Sequence, residues 1–394
     1  MRFTSRLCQQ HLGFMFKKHW LIQGRRVIRD TGALAELEKF NIKVTPAKNV
    51  ITPKFERRRL DIIGPYPLDP PNDEAHPDWH DTECLIYGDS NVLLEGIPQA
   101  QVLLKTIEIN NLPKSYMHAI DKVKIPKAVD KNVQNAILAS HCFDTQQEKT
   151  AIVKIPERPA YVLPRNYGIT DSRKNRLILA KLVFECEKLA GRSTSCQRSI
   201  LENADFSINL HRDSDLLQFE LRAEQFITSK RPLEPIKESV DHEIPDIYPL
   251  QSTITIPRKN IYKLNDHYPV PKQINVSNPH TICLHYSPLE VKNLHETPVT
   301  ESQYYGRTLL KAFAVAGARA KQVYGSSVGD LPKPIVVQAI QTDGKSFHFG
   351  VFQLNTLNID DSEGVKNYWF HLPKMNLFDE CLYQVGKPVL EGYN

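Results

Sequence analysis

Residues 335–367 read IVVQAIQTDGKSFHFGVFQLNTLNIDDSEGVKN, and they carry the clearest folding pattern of the chain. Residues 335–340 are mostly β-branched and follow two prolines, a composition that favours a strand over a helix. The dipeptide Asp343-Gly344 tolerates the positive φ that a two-residue turn requires. Residues 346–354 alternate in character, so the pattern predicts a β-hairpin. The apolar side of the return strand, which we expect in a core, consists of Phe347, Phe349 and Val351.

A helix is predicted directly before the hairpin, over residues 302–324. Small and apolar side chains recur there at helical spacing, and Gly325 supplies a natural C-terminal stop. These side chains are Gly306, Leu310, Phe313, Gly317, Ala320 and Tyr324. Helix and hairpin together predict a packed C-terminal unit.

The rest of the chain shows weaker patterns of both kinds. Asp171 is predicted to cap a helix that ends at Gly191, because apolar side chains form a stripe between them. The stripe consists of Leu177, Leu179, Leu182, Val183, Cys186 and Leu189. Further helices are predicted at 32–40, 99–109 and 133–142, and strands at 84–87, 92–94, 206–210, 216–221 and 281–286. The expected fold class is α+β, with mixed helices, small and largely antiparallel sheets, and a long extended N-terminal arm.

Changes in composition along the chain predict six regions. They are a mitochondrial transit peptide at 1–29, an extended basic arm at 30–75, an N-terminal α/β part at 76–150, a middle helix–strand part at 165–228, a proline-rich extended segment at 229–280, and the C-terminal helix–hairpin unit at 281–394.

The overall composition is that of a soluble globular protein, with 41% hydrophobic and 24% charged residues. No apolar run approaches the roughly 20 residues that a membrane-spanning helix needs, so no membrane contact is expected. The seven cysteines show no CxxC spacing, which argues against a zinc site and against a disulfide framework. We expect buried thiols in a reducing compartment.

Positive charge is concentrated near the N-terminus. Residues 1–60 hold 14 Lys or Arg against 4 Asp or Glu, whereas the rest of the chain holds 36 against 41. Residues 1–29 contain basic and scattered apolar residues but no acidic one, which is typical of a mitochondrial transit peptide. The alternative is a basic arm that remains on the mature protein and binds RNA.

The sequence KFERRR at residues 54–59 is the first candidate RNA contact. Three adjacent guanidinium groups repel one another unless an anion lies between them, and phosphate oxygens offer each a bidentate acceptor. The candidate residues are Lys54, Arg57, Arg58 and Arg59. A solvated surface run is the alternative interpretation.

The second candidate region lies within residues 229–279, where tyrosines and basic residues alternate with prolines. Tyrosine can stack on exposed bases while cations hold the RNA backbone. Tyrosine and arginine are also frequent anchors of protein–protein interfaces, so both interpretations stay open. The candidate residues are Arg258, Lys259, Tyr262 and Lys263.

Signals for catalysis and for metal binding are weak. The His and carboxylate residues of segment 76–83 lack regular ligand spacing, so we predict no metal site, and no cofactor motif is present. A metal-dependent nuclease, active or inactive, is the best catalytic hypothesis and would use Asp343. Gln353 and Asn355 stand where such a site needs an acid and a lysine, so no enzyme activity is predicted. His348 is expected to be a half-buried core residue.

Two blocks of sequence resemble a known family. One consists of VVQ at 336–338, TDG at 342–344, VFQLNT at 351–356 and EGVKN at 363–367; the other consists of Leu93-Leu94-Glu95-Gly96, Gln99-Ala100 and Leu104-Lys105-Thr106. They resemble the family of large-subunit mitochondrial ribosomal protein thirty-seven.

This resemblance implies a structural constituent of the mitochondrial large ribosomal subunit, in the matrix, without catalysis or cofactors. The implied partners are the large-subunit rRNA and other large-subunit proteins. Foremost among these is the related programmed-cell-death-nine ribosomal protein, in a side-by-side pair.

Overall fold

The computed structural model describes residues 31–45, 70–142, 148–149, 157, 167–212, 214–236, 243–245, 256–293, 297–360, 363–384 and 387–394. The predicted transit peptide and residues 46–69 of the basic arm lie outside these residues. The chain divides into a unit spanning Met1–Asp69 and a unit spanning Pro70–Asn394. In the first unit, helix α1 (Ala33–Lys39) confirms the helix predicted at 32–40, and all of its residues are exposed.

The second unit contains the remaining described elements. Its helices are α2 (Ile97–Leu104), α3 (Lys114–Lys122), α4 (Lys127–Ser140), α5 (Asp171–Ala190), α6 (Arg192–Ser195) and α7 (Glu301–Tyr324). Its strands are β1 (Trp79–Tyr87), β2 (Thr106–Asn110), β3 (Glu148–Lys149), β4 (Tyr167–Gly168), β5 (Arg198–Arg212), β6 (Asp215–Ser229), β7 (Arg258–Ile261), β8 (Asn278–His285), β9 (Asp330–Thr342), β10 (Ser346–Thr356), β11 (Asn367–His371), β12 (Met375–Asn376), β13 (Glu380–Gln384) and β14 (Lys387–Glu391). The predicted α+β class is confirmed.

One mixed sheet dominates the described residues. It has ten strands in the order β2-β11-β10-β9-β8-β6-β1-β7, with β5 added beside β6 and β12 beside β10. The pairs β1–β6, β8–β9 and β2–β11 are parallel. The sheet is therefore larger and more mixed than the small, largely antiparallel sheets expected from sequence, because strands distant in the chain join at its centre and its edges.

Helix α7 lies at the centre of the fold, and most of its side chains between Gln303 and Ala320 are buried. Thr300 and Gln303 form a capping box at its N-terminus, and Gly325, at φ 100°, ends it as predicted. Gly306 allows close approach to α2, since a Cβ there would lie 2.8 Å from the backbone carbon of Gly96. The core thus surrounds the helix on several sides.

The predicted hairpin is formed by β9 and β10, with Gly344 at φ 92° in the turn. Both faces of β10 are covered. Phe352 contacts Phe313 of α7, whereas Val351 packs with Val336 and Phe370 on the opposite face of the sheet. The side of β10 that faces the main helix is therefore not the one carrying Phe347 and Phe349.

Several element bounds differ from prediction. The helix predicted at 99–109 ends at Leu104, because Lys105 turns the chain at φ 49° and β2 follows. Residues 92–94 are a buried loop and not a strand. The strands predicted at 206–210 and 216–221 lie at the C-terminal end of β5 and the N-terminal end of β6, which each extend over 15 residues.

Candidate nucleic-acid and protein interface

Strand β7 forms one edge of the ten-stranded sheet. It pairs antiparallel with β1, placing Lys259 opposite Cys84 and Arg258 opposite Leu85. We call Arg258, Lys259, Tyr262 and Lys263 the β7 edge. An edge strand presents backbone donors and acceptors on its outer side, so this location suits contact with another molecule.

Tyr262 serves the protein's own packing. Its side chain is only 4% exposed, and its ring stacks on His80 with the centroids 4.2 Å apart. Its hydroxyl donates to the carbonyl oxygen of Thr82 at 2.9 Å. Because the ring is covered by protein, it offers no free face to an RNA base in this arrangement, and it fastens β7 to β1 instead.

The cations of the β7 edge have carboxylate neighbours. Arg258 lies 3.2 Å from Glu83 and 3.8 Å from Asp215, and Lys263 lies 3.7 Å from Asp78. The fold therefore joins the His/carboxylate segment 76–83 to the basic segment, which sequence reasoning treated separately. These pairs are solvent-exposed and hence weak, so a phosphate group can replace the carboxylate partner.

The same region offers no arrangement suited to metal binding. His80 Nε2 lies 3.0 Å from the carbonyl oxygen of Tyr262, and His76 Nδ1 accepts from the backbone N–H of Asp78. Burial, followed by the nearby Glu220 carboxylate, raises the pKa of Cys84 to about 11, which keeps the thiol protonated. Within the described ranges, no three His, Cys, Asp or Glu side chains are grouped as metal ligands would be.

Helix α5 presents two lysines around an exposed aromatic ring, a surface that sequence reasoning missed; Lys188 also forms an ion pair with Glu185 at 2.9 Å. Phe184 is exposed, and the ammonium groups of Lys181 and Lys188 lie 5.8 and 5.4 Å from its ring centroid. We call Leu177, Lys181, Phe184 and Lys188 the α5 outer face. Leu177 was assigned to the apolar stripe but is exposed, while Leu179 and Val183 are buried as expected. The available signal in the sequence was the spacing of the lysines, because Lys181 lies three residues before Phe184 and Lys188 lies four residues after it.

The candidates Lys54, Arg57, Arg58 and Arg59 lie outside the described residues. Their assignment as RNA contacts stays a prediction.

A buried polar cluster joins α7 to its neighbours. Arg307 donates to the carbonyl oxygen of Asp89 and, at 2.6 Å, to the side-chain oxygen of Gln341. Lys311 donates to the carbonyl oxygen of Arg222 at 3.1 Å and forms an ion pair with Asp89. Burial and the nearby Arg307 lower the pKa of Lys311 to about 7, although the Asp89 carboxylate opposes the shift. The cluster borders a cavity of about 280 Å³.

The residues of the nuclease hypothesis are not brought together. Asp343 lies in the hairpin turn, where its carboxylate accepts from the backbone N–H groups of Lys345 and Ser346. Gln353 pairs with Val336 of β9, which lies seven residues before Asp343 in the chain. Asp343 and Gln353 are therefore separated by about 23 Å. Asn355 donates to the carbonyl oxygen of Lys366. A shared metal site is excluded by this distance.

His348 is completely buried, in contrast to the half-buried position expected for it. Its Nδ1 lies 2.9 Å from Thr308 Oγ1, and its Nε2 lies 3.2 Å from Nδ1 of His371. His371 in turn contacts Glu108 at 2.8 Å. Burial and the neighbouring His371 lower the pKa of His348 to about 3, so the ring is neutral and structural.

Comparisons with known proteins match large parts of the chain. The family model described as mitochondrial 28S ribosomal protein S30 (PDCD9) matches residues 290–384, which include α7 and the hairpin. Large ribosomal subunit protein mL37 of Bos taurus is 30% identical over 320 residues, which are 79% of this chain and 69% of that protein. The chain belongs to the mL37 family. The resemblance inferred from the two sequence blocks is confirmed.

Other mL37 proteins match to a similar extent. The Rattus norvegicus protein is 29% identical over 74% of this chain and 65% of its own length, and the Gallus gallus protein is 27% identical over 81% and 72%. The chain thus spans just under two thirds of the rat relative. The family model is described by a 28S protein, whereas the mL37 relatives are named for the large subunit; the relatives cover far more of the chain, so they define its family.

Proposed function

We propose that the protein is a structural constituent of the mitochondrial large ribosomal subunit. It supports mitochondrial translation by binding rRNA and neighbouring proteins and has no catalytic step. The observation that carries this proposal is the 30% identity to bovine mL37 over 79% of the chain. The buried titratable groups Lys311 and His348 contact other protein groups within the core, which is consistent with a role in assembly. No helix among the described residues combines the length and the apolar character needed to cross a bilayer.

The rRNA contacts are assigned to three groups of cations. They are the KFERRR segment, through Lys54, Arg57, Arg58 and Arg59; the β7 edge, through Arg258, Lys259 and Lys263; and the α5 outer face. Phosphate contacts of this kind position a protein on RNA without reading its sequence. On the α5 outer face, Phe184 adds a ring on which an unpaired base can stack.

The protein partner proposed for the helix–hairpin unit is the programmed-cell-death-nine ribosomal protein. Support comes from the match of residues 290–384 to that protein's family model, because related folds with similar surfaces can assemble as pseudo-symmetric pairs.

Charge reversal tests the rRNA contacts. One variant replaces Arg57, Arg58 and Arg59 by Glu; a second replaces Lys181 and Lys188 by Glu; and Lys292→Glu serves as a control at an exposed position outside the three groups. Purified protein is titrated with large-subunit rRNA over a series of salt concentrations. Each lost phosphate contact should reduce the slope of log affinity against log salt by about 0.7–0.9.

The same variants are followed into large-subunit particles by sedimentation of mitochondrial extracts. We expect reduced incorporation for both multiple variants and normal incorporation for the control. Unchanged slopes together with normal incorporation would contradict the rRNA contacts of the KFERRR segment and of the α5 outer face. Absence of even the wild-type protein from large-subunit particles would refute the proposed function itself.

A further inference from the structure

Helix α3 and the residues after it expose an unusual number of apolar side chains. None of the nine residues of α3 is buried. Met117 is 40% exposed, Ile120 54%, Val123 58% and Ile125 63%. Single exposed apolar residues are common on any protein, but a run of four within nine residues forms a continuous patch that marks an interaction surface.

A groove runs beside this patch. It has a volume of about 730 Å³ and lies between α3 and residues 233–236. We call it the α3 groove. Its apolar lining residues are Tyr116, Ala119, Leu233, Pro235 and Ile236, and its polar ones are Ser115, Glu234 and Gln338. This volume is within the range of sites that hold several side chains, and the lining is mostly apolar.

The α3 groove is held open by packing on the sheet. Tyr116, Leu233 and Ile236 belong to one apolar cluster with buried Val336 and Phe370. The backbone N–H of Ile236 also donates to the side chain of Gln353 on β10 at 2.7 Å. Both walls of the groove are thus fixed to the same face of the sheet, so a ligand meets a preformed surface.

Positive charge predominates on the α3 side of the groove, whereas the opposite wall carries the carboxylate of Glu234. Residues 113–127 contain four lysines and a single acidic residue. Lys122, Lys124 and Lys127 are exposed next to Val123 and Ile125. An apolar centre with a cationic rim matches the usual organisation of a protein–protein interface, and it complements a partner whose own rim is acidic.

We infer that the α3 groove binds an acidic amphipathic helix of a neighbouring protein. The apolar side chains of that helix enter the groove, and its carboxylates face the lysines of residues 114–127. RNA fits this surface less well, because phosphates would engage the lysines but leave Ile120, Val123 and Ile125 in water. The inference rests on the proposed function in one respect, namely that the neighbour is sought in the large ribosomal subunit.

Binding is tested first with a defined probe. The probe is a fluorescein-labelled 18-residue peptide of Leu, Ala and Glu, with leucines at helical i, i+3, i+4, i+7 spacing. One control peptide has the same composition with the leucines scrambled, and another carries Lys in place of Glu. Fluorescence anisotropy with the full chain should show saturable binding of the probe and at least tenfold weaker binding of both controls. Equal binding of all three peptides, or no saturable binding of the probe, would overturn the inference.

Variants of the full chain locate the binding site. Ala119→Glu places a carboxylate in the groove and should weaken binding of the probe at least tenfold. Leu289→Glu changes an apolar residue outside the patch that is 64% exposed, as Ile125 within the patch is 63% exposed. This control should alter the affinity less than twofold. Thermal unfolding monitored by circular dichroism verifies that each variant folds. If Ala119→Glu does not fold, Ile120→Ser, at a surface position, replaces it and should weaken binding at least threefold. Equal effects of the groove variant and the Leu289→Glu control would overturn the assignment.

A photo-crosslinking amino acid at position 119 identifies the natural occupant in purified large-subunit particles. Crosslinks to an acidic helical segment of another protein, identified by peptide sequencing, support the inference. Crosslinks to rRNA, to this chain itself, or to nothing overturn it. If the chain is absent from particles, the proposed function fails, whereas the peptide titration still reports on the groove.

Discussion

Lys311 places an ammonium group inside the core, between the Asp89 carboxylate and the carbonyl oxygen of Arg222. Removing a lysine from water disfavours its charged form, and the guanidinium of Arg307 adds repulsion. The pKa is therefore about 7, compared with 10.5 for an ordinary lysine. Apolar spacing predicts α7 well but carries no information on this group, because its partners come from β6 and the loop after β1.

Stability should depend on pH through Lys311. Between pH 7 and 10.5 the unfolded chain binds more protons at this residue than the folded chain, so the free energy of unfolding should rise with pH, by at most about 1.4 kcal/mol per unit. Urea denaturation at pH 7, 8 and 9 measures this rise. In Lys311→Met the rise should be smaller. If the free energy of unfolding rises equally with pH in both proteins, the pKa of Lys311 is not lowered in the folded state.

His348 shows that the alternation of polar and apolar residues along a strand does not by itself predict which side chains are buried. Its neighbours in sequence are phenylalanines, which suggested that the histidine side of β10 was the more polar and exposed one. The structure inverts this expectation, because Thr308 and His371 satisfy both ring nitrogens inside the core. A buried polar side chain is tolerated when its hydrogen-bonding groups are paired, and those partners come from separate elements.

The bounds of α7 and the start of β10 were predictable almost to the residue, whereas β9 begins at Asp330, five residues before the predicted start of the strand. Helix α7 carries strong local signals, the Thr300–Gln303 cap and Gly325. The β9–β10 turn is similarly marked by Asp343 and Gly344. Elements with weak local signals were harder to predict: β2 was read as the end of a helix, because its strand conformation depends on pairing with β11.

The close contact between β10 and β11 gives a prediction at Gly350. Any Cβ on this residue would overlap the ring of Trp369, which is fully buried and has no room to shift. Gly350→Ala should lower the free energy of unfolding by about 1–3 kcal/mol. In the control Gly329→Ala, the new Cβ would lie 3.9 Å from its nearest neighbour, so stability should be nearly unchanged. Equal urea midpoints for the two variants would show that the strands separate more easily than the structure indicates.

The candidate interface was only partly accessible from sequence. The β7 edge is indeed basic and at a sheet edge, but the carboxylates of Asp78 and Glu83 come from a segment about 180 residues away along the chain. The α5 outer face was not predicted, because the sequence of an apolar stripe does not show which of its side chains are buried. Leu179 and Val183 are buried, whereas Leu177 and Leu189 are exposed. The sequence shows where charged residues are concentrated, whereas the charged groups that lie next to them in space depend on the fold.

The whole unit from Pro70 to Asn394 is built around one principal core. Side chains from β1, β6, α7 and β10 meet in the same apolar cluster. Gly317 of α7 contacts Ile208 of β5, for example, although the two belong to different predicted regions. The six-region division proposed from composition stays a prediction. Because several of these regions contribute side chains to the same core, we expect that they do not fold independently.

A fragment tests this shared core directly. Residues 281–394 contain α7 and the hairpin but lack β5 and β6, which cover Phe313 and its neighbours. We expect the fragment to be unfolded or aggregated, with poor dispersion in its proton–nitrogen NMR spectrum. Residues 70–394 should give a dispersed spectrum. A folded 281–394 fragment would instead establish the helix–hairpin unit as an independent domain.

The pairing of β2 with β11 sets an order for biosynthesis. His371 contacts Glu108 although 263 residues separate them, so β2 has no β11 to pair with until residues 367–371 have been synthesised. Until then Ile107, a buried residue in the finished protein, lacks its neighbour Tyr368 on β11. During synthesis this strand therefore stays unpaired and open to aggregation, and premature termination before β11 should leave a product prone to degradation.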